Sequence, residues 1–373
     1  MEQSTKTVLF LPFLQIPSGH HQVANTLIDG LKQIHPHIKC EKVDILAYSY
    51  GKVENLISSV YLKWIKIFPK TYNLVYRKVV IKDNQEEKRY RLYELLFLPF
   101  IKRLIRERKP DLIVCTHSLP AYMLNHLKER EGLKIPVANV YTDYFVHRLW
   151  GTKNIEFHFA PSSSMKGYLK EKGVREERIF VTGIPVHSKI RKVDSTKFSK
   201  VRDTYNFLIT GGNLGVGAIE ELIKQFKDYV SPLKVKFFIL CGKNKRLLER
   251  LISLQMEHLV PYPYIDCMEK MNHLYDEIDA VITKPGGVTI SECLSKSKPI
   301  FIYHALPGQE KINLQELQKL GVVFLLNKDK PFEHLFALLQ EEQALLDYQQ
   351  RVAAYQQDVQ STEPAEILAS FLG

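Results

Sequence analysis

The chain has 373 residues, 45% hydrophobic and 25% charged, with a formal net charge of +11. That composition excludes a disordered polymer, and the length exceeds what one core covers, since single cores stop growing near about 250–300 residues. The positive excess points to an anionic partner: nucleic acid, a phosphorylated ligand or an acidic membrane surface.

Val8–Leu14 is a continuous apolar run that suits a strand buried on both faces. Val23, Leu27, Leu31 and Ile34 then recur at helical spacing. Strand, turn and helix open a βαβ unit. Further strands are expected at Lys42–Ile45, Leu112–Cys115, Val137–Tyr141 and Ile179–Val181, an alternation that favours a parallel sheet. The beginning of the sequence lacks a small-residue cleavage site, so the expectation is a first strand and no signal peptide. No apolar run reaches the roughly 18–20 residues of a membrane-crossing helix, which suggests a soluble or peripheral protein.

Between Gly51 and Pro110 the chain changes character, with fifteen lysines and arginines against six acids, a net of +9. YLKWIKIFPK and LLFLPFIKRLIRER interleave Trp64, Phe68, Phe97 and Phe100 with the basic residues. Such a mixture suits a surface lying on anionic lipid headgroups, and it also fits a pair of core helices with a solvated basic face. A recognition sequence for nucleic acid is lacking, so nucleic acid is not the expected partner.

Arg191–Tyr205 is polar and without apolar periodicity, and reads as a linker. Beyond it, strands are expected at Asn206–Thr210, Val235–Leu240, Ala280–Thr283, Pro299–Tyr303 and Val322–Leu325. Helical patterns fall at Ala218–Tyr229, Lys245–Glu257 and Gly308–Leu320, and Pro331–Gly373 is expected to be helical throughout. The domains predicted are therefore 1–195 and 200–350, with a C-terminal helix over 351–373 packing back on the first. Cys40, Cys115, Cys241, Cys267 and Cys293 form neither a CxxC pair nor a zinc spacing, as buried thiols of a reducing cytosol would.

Two glycine-bearing turns carry the chemistry. GGNLGVG (211–217) and KPGG (284–287) each follow an apolar strand and open a helical pattern, the arrangement that aims backbone amides at a phosphate. The first is neither a Walker A loop nor the full dinucleotide fingerprint, and alone it also fits a turn with no ligand. Glu292, just beyond the second, reads as a ribose ligand or as an acid that complements the helix dipole for about 0.3–1 kcal/mol.

TDYFVHRLW (142–150), TGIPV (182–186), GGNLGVG (211–217), CGKN (241–244), TKPGGVTISE (283–292) and LPGQE (306–310) together resemble the diacylglycerol glycosyltransferases. That group comprises the bacterial processive diacylglycerol glucosyltransferases and the plant monogalactosyldiacylglycerol synthases, relatives of the lipid II N-acetylglucosamine transferase. The resemblance covers roughly residues 8–325. It implies an α/β GT-B fold, two Rossmann-like doubly wound domains facing a cleft, with a UDP-sugar on the C-terminal domain and the lipid acceptor on the N-terminal one.

By the same resemblance Glu292 would hold the ribose hydroxyls, and Gly287 with Lys284, Gly286, Val288 and Thr289 would meet the diphosphate. Gln309 and Glu310 would hold the donor hexose, Gly211, Gly212 and Gly215 would line the phosphate and sugar, and the uracil would lie by Lys243 and Tyr264–Ile265. The turn LQIPSGHHQVA (14–24) would put Gly19 on the donor side and His20 at the base position, with His21 beside it where relatives carry an apolar residue. An imidazole titrating near about 6.5 suits proton acceptance from an alcohol. Asp143, at a strand's carboxyl end, would orient or activate the acceptor hydroxyl, with His147 and Trp150 on the lipid side; Asp143 and Trp150 also read as a turn cap and a packing residue.

No DxD motif or metal-ligand spacing is present, so neither metal nor cofactor is expected beyond the UDP-sugar donor substrate. The function implied is inverting transfer of a hexose, glucose by the nearest resemblance, to diacylglycerol or a glycosylated diacylglycerol on the cytoplasmic face of the cell membrane. Transfer to a soluble or polyprenyl acceptor, a UDP-sugar epimerase and a non-catalytic UDP-sugar sensor are the alternatives. Oligomeric state has no signal in the sequence.

Overall fold

The computed structural model describes residues 5–13, 18–51, 89–193, 204–211, 219, 221–222, 234–327 and 329–372. The chain folds as two compact units, Met1–Pro185 with Asp358–Gly373, and Val186–Gln357.

In the first unit the strands are β1 (Thr7–Leu11), β2 (Lys39–Lys42), β3 (Leu112–Cys115), β4 (Val137–Val140), β5 (Phe157–Ala160) and β6 (Ile179–Val181), all parallel in the order β2-β1-β3-β4-β5-β6. Val8 to Leu11 and all of β3 and β4 are buried, which is why these runs are apolar without alternation. The main helices are α1 (Gly19–Ile34), α2 (Ile45–Tyr50), α3 (Arg91–Arg108), α4 (Ser118–Glu131) and α5 (Ser163–Glu171), followed in the second unit by α6 (Lys245–Ser253) and α7 (Met268–Glu277). Ile101 and Leu104 of α3 and Leu124 of α4 join Leu9, Leu11 and Ile113 in one core.

Because β1 is flanked by β2 on one side and β3 on the other, the connections reverse direction there. Ligands of open α/β sheets bind outside the carboxyl ends at such a point. The second unit repeats the scheme with β7 (Thr204–Thr210), β8 (Lys234–Leu240), β9 (Leu259–Tyr262), β10 (Ala280–Thr283), β11 (Ile300–Ile302) and β12 (Phe324–Leu325), ordered β12-β11-β10-β7-β8-β9. Here the reversal lies between β7 and β10, whose register pairs Phe207 with Ala280 and Ile209 with Ile282. Phe207 stacks on Phe237 at 5.4 Å and meets Phe336 edge-on at 5.7 Å at the centre of this core.

Several elements differ from expectation. β2 covers Lys39–Lys42, not Lys42–Ile45, because Asp44 caps α2 by accepting from the Ala47 amide at 2.9 Å. β5 was hidden by His158, buried in mid-strand and held by the Tyr141 hydroxyl at 2.9 Å, and β9 by Pro261, which only an edge strand tolerates. Residues 191–193 belong to the second unit: the Arg191 amide donates to Asn272 Oδ1 at 2.9 Å and the Val193 amide to the Ser295 carbonyl at 2.8 Å.

The C-terminal stretch is three helices, Pro331–Gln340, Glu342–Asp358 and Pro364–Ser370, with a break before Pro364 where the chain returns to the first unit. There the Gln360 amide donates to the Val181 carbonyl at 2.7 Å and Phe371 stacks on Phe157 at 3.6 Å. The last helix lies against α1 so closely that a Cβ on Gly30 would meet Ala365 Cβ at 2.7 Å. Gly30→Ala should gain up to about 1 kcal/mol of helix propensity and lose about 1–3 kcal/mol to overpacking. Urea unfolding should therefore show a net loss of stability, with faster hydrogen exchange in the last helix.

Candidate active site

Every described residue that the sequence marked for the donor lies at a strand's carboxyl end in the second unit, apart from Gly19. Gly211 follows β7 directly and is buried; Gly212 and Gly215 lie outside the described residues. On the adjacent strand β10, Lys284 and Pro285 lead into Gly286, which caps α8 (Gly287–Ser295), and Gly287, Val288 and Thr289 form that helix's first turn. A Cβ on exposed Gly286 would meet nothing within 4 Å, so the approach to this helix start is open. Asn313, buried, holds the turn from behind by donating to the Pro285 carbonyl at 3.2 Å.

Glu292 sits on the same helix and accepts a hydrogen bond from the Tyr275 hydroxyl at 2.8 Å. Burial pushes its carboxyl up to about 7, with the Tyr275 bond pulling the other way. An ion pair would hold such a group low; at Glu292 burial outweighs the Tyr275 bond. Lys284 Nζ pairs with Glu310 Oε1 at 2.9 Å, and Glu310 Oε2 accepts from the Leu306 amide at 2.7 Å. Lys284 and Glu310, 26 residues apart in sequence, thus form one polar group beside the open helix start.

Gln309 begins the helix α9 (Gln309–Leu320), after Gly308 at φ 93°, a conformation that disfavours side chains. At the end of β8 the CGKN turn places Lys243 5.5 Å from the ring of Tyr264, which is 38% exposed, with Ile265 next to it. The lysine cation is attracted to the face of this part-exposed ring.

In the first unit, Ser18 precedes α1, Gly19 opens it and His20 follows. His20 Nδ1 lies 2.7 Å from the Thr116 carbonyl and 2.8 Å from Thr142 Oγ1, and the Thr116 hydroxyl donates to the His20 carbonyl at 3.0 Å. A carbonyl only accepts, so Nδ1 carries the proton and the neutral ring's lone pair is on Nε2. Burial pushes this imidazole below its ordinary value, while the Asp143 carboxylate and the Thr116 carbonyl raise it. His20 is thus a neutral base near pH 7 whose protonated form Asp143 favours.

His21 is 3.8 Å from Asp44 instead, so the two adjacent histidines have different partners. The ring of His117 meets His20 edge-on at 4.8 Å and stacks on Phe13 at 4.8 Å. Its Nδ1 accepts from the Leu119 amide at 3.1 Å, and burial keeps it neutral.

Of the alternatives the sequence left open, the structure fits the packing reading for Trp150, which is buried edge-on against Tyr141 at 4.7 Å; burial pushes the His147 imidazole down to about 3. Phe97 is likewise core, against Phe13 and Tyr50. Trp64 and Phe68 lie outside the described residues. The exposed apolar residues of α3 are Leu92 (66%), Leu95 (75%) and Leu96 (36%). They continue along the helix into exposed Arg103 and Arg106. Among the described residues no helix is long and apolar enough to cross a membrane.

Sequence reasoning missed Thr116, Thr142, Tyr275 and Asn313. Thr116 directly follows β3 and Thr142 lies just past β4, positions that could have flagged them; Tyr275 and Asn313 sit on helices as ordinary interior residues.

Residues 20–186 match the family model of monogalactosyldiacylglycerol synthase, and residues 206–363 match the C-terminal domain of glycosyltransferase family 28. The chain belongs to glycosyltransferase family 28. This family 28 chain is 41% identical over 366 residues to the uncharacterized glycosyltransferase YkoN of Bacillus subtilis strain 168, covering 97% of this chain and 96% of that one. It is 30% identical over 338 residues to a processive diacylglycerol β-glucosyltransferase of Bacillus cereus strain B4264, covering 88% and 84%. The crystal structure of Acinetobacter baumannii MurG matches with a TM-score of 0.62 at 16% identity, covering 98% of this chain and 99% of that one, a likeness of fold. The two parallel six-stranded units are accordingly those of a GT-B glycosyltransferase.

Proposed function

We propose that this glycosyltransferase moves a hexose, glucose in the first instance, from a UDP-sugar to diacylglycerol or a glycosylated diacylglycerol at a membrane surface, with inversion and without a metal. The carrying observation is the junction of β7 and β10, where Gly211, the open start of α8 and Glu292 share one end of the second sheet. Backbone amides there suit a diphosphate and the carboxylate suits a ribose. The name of the Bacillus cereus relative supports the donor sugar and acceptor.

In the reaction, the acceptor hydroxyl attacks the anomeric carbon while the bond to the diphosphate oxygen breaks. His20 Nε2 takes the hydroxyl proton, and Asp143 stabilises the imidazolium. The departing UDP carries the electron pair away, stabilised by the amides at the start of α8 and by Lys284, a preorganised electrostatic contribution. One displacement inverts the centre, so an α-linked donor should give a β-glycoside. Proton NMR coupling at the new anomeric position tests this, and an α-glycoside would overturn it.

The membrane surface is assigned to the exposed leucines of α3 and their basic continuation. Substituting both Leu92→Glu and Leu95→Glu should move the protein from the floating to the bottom fraction with anionic vesicles at low salt. Flotation unchanged by the pair would place the lipid contact elsewhere.

A further inference from the structure

Tyr275 is a residue for which the proposed reaction has so far no use. It lies on α7 (Met268–Glu277), 1% exposed, and its hydroxyl reaches Glu292 Oε2 at 2.8 Å. Burying a tyrosine hydroxyl beside a carboxyl is costly unless each satisfies the other. A phenylalanine would fill the same space in a core without that requirement.

We propose that Tyr275 is a positioning residue for nucleotide binding: by donating to Oε2 it favours the ionised form of Glu292 and orients it so that Oε1 receives the ribose hydroxyls. The inference rests on the reading of Glu292 as the ribose ligand. Burial pushes Glu292 up to about 7, and the Tyr275 hydrogen bond is what opposes that push. Tyr275 itself stays protonated, since burial and the Glu292 charge raise it well above its ordinary value, so it remains a donor.

The other groups near this pair do not replace it. The neighbouring Cys293 thiol is raised by burial and by Glu292, while its own hydrogen bond with Tyr275 and the Lys298 charge act in the opposite sense. Asp276 and Lys296 pair with each other at 2.6 Å. No second donor to Glu292 comes from these groups.

The sign follows from the chemistry. Ribose hydroxyls donate, so they bind the ionised carboxylate, which is gained as pH rises through Glu292's raised value and lost below it. Removing the Tyr275 hydroxyl moves that transition to higher pH. A tenfold change in ionisation accompanies each unit, so the penalty is large at low pH and fades at high pH.

The experiment is calorimetric titration of UDP into the wild type, Tyr275→Phe, Glu292→Gln and the double variant at pH 6.5, 7.5 and 9.0. Comparison at each pH cancels the titration of UDP itself. Tyr275→Phe should bind about 3–10-fold more weakly at pH 6.5 and within about twofold of wild type at pH 9.0. In the Glu292→Gln background the same change should cost less than about twofold at every pH.

An equal penalty at all three pH values, present with or without Glu292, would overturn the proposal. If thermal melting shows Tyr275→Phe unfolded, the wild-type and Glu292→Gln profiles decide: their affinity ratio must grow with pH, and a constant ratio overturns the proposal. A wild type that binds no UDP at any pH sinks the donor-site reading itself, a separate outcome from UDP bound with a constant ratio.

Discussion

Replacing His20 by alanine should lower kcat by about 10²–10⁴-fold while leaving UDP-sugar affinity within about twofold. The expectation rests on separation of roles. His20 belongs to the first unit and is fixed by Thr116 and Thr142, whereas Glu292, Lys284 and the start of α8 belong to the second. A general base acts only as the acceptor proton leaves, so its loss appears in the chemical step.

The pH dependence sharpens the expectation. Burial pushes the His20 imidazole down, so the neutral base survives below pH 6.5 and is lost only as pH falls through the lowered value. The acid limb of the kcat profile should therefore lie below that of a free histidine. Asp143→Asn removes the charge that raises His20 and should move the limb lower still, with a smaller loss of rate at its plateau. Steady-state kinetics against pH read both. A His20→Ala variant that loses donor affinity and keeps kcat would reverse the assignment.

Glu292→Ala should act oppositely, weakening UDP binding by about 10–100-fold. That is the effect expected from losing one to two hydrogen bonds to a charged acceptor, each worth about 1.5–3 kcal/mol before compensation by water. The folded state should not suffer in proportion. A carboxyl pushed up to about 7 by burial destabilises the fold when ionised, so its removal gives stability back, offset by the buried Tyr275 hydroxyl that then lacks its acceptor. Calorimetry with UDP, beside a thermal melt at pH 8, should show lost affinity with a melting temperature little changed. Lowered stability with intact affinity would make Glu292 a structural residue.

Much of this is legible in the sequence because parallel strands buried on both faces cannot hide. Ala280–Thr283 and Leu112–Cys115 are legible to the residue, since each is an uninterrupted apolar run between turn signals. The strands that escape carry a physical exception. His158 interrupts the apolar run of β5 and is compensated by a hydroxyl from Tyr141, a partner 17 residues away. Pro261 is admissible only because β9 is at the sheet's edge, a fact of topology.

The site divides in the same way. Glycines at the turns are readable because local backbone chemistry favours them, and Glu292 because an acid just beyond the KPGG turn belongs to the resembled pattern. The choice of His20 over His21 is not, for adjacent histidines differ only in what α1 turns them toward: Thr116 and Thr142 for one, Asp44 for the other. Nor is the exposed face of α3, where the aromatic Phe97 is core and Leu92, Leu95 and Leu96 face outward. Composition identifies a basic, apolar helix and does not say which apolar residues are spare.

The most direct measurement of the central claim is transfer of labelled glucose from UDP-glucose to diacylglycerol in vesicles by the purified protein. The account predicts a labelled glycolipid whose formation is slowed about 10²–10⁴-fold by His20→Ala and strongly reduced by Glu292→Ala at subsaturating donor. No labelled lipid from UDP-glucose, UDP-galactose or UDP-N-acetylglucosamine, under conditions where the protein binds UDP, would contradict it.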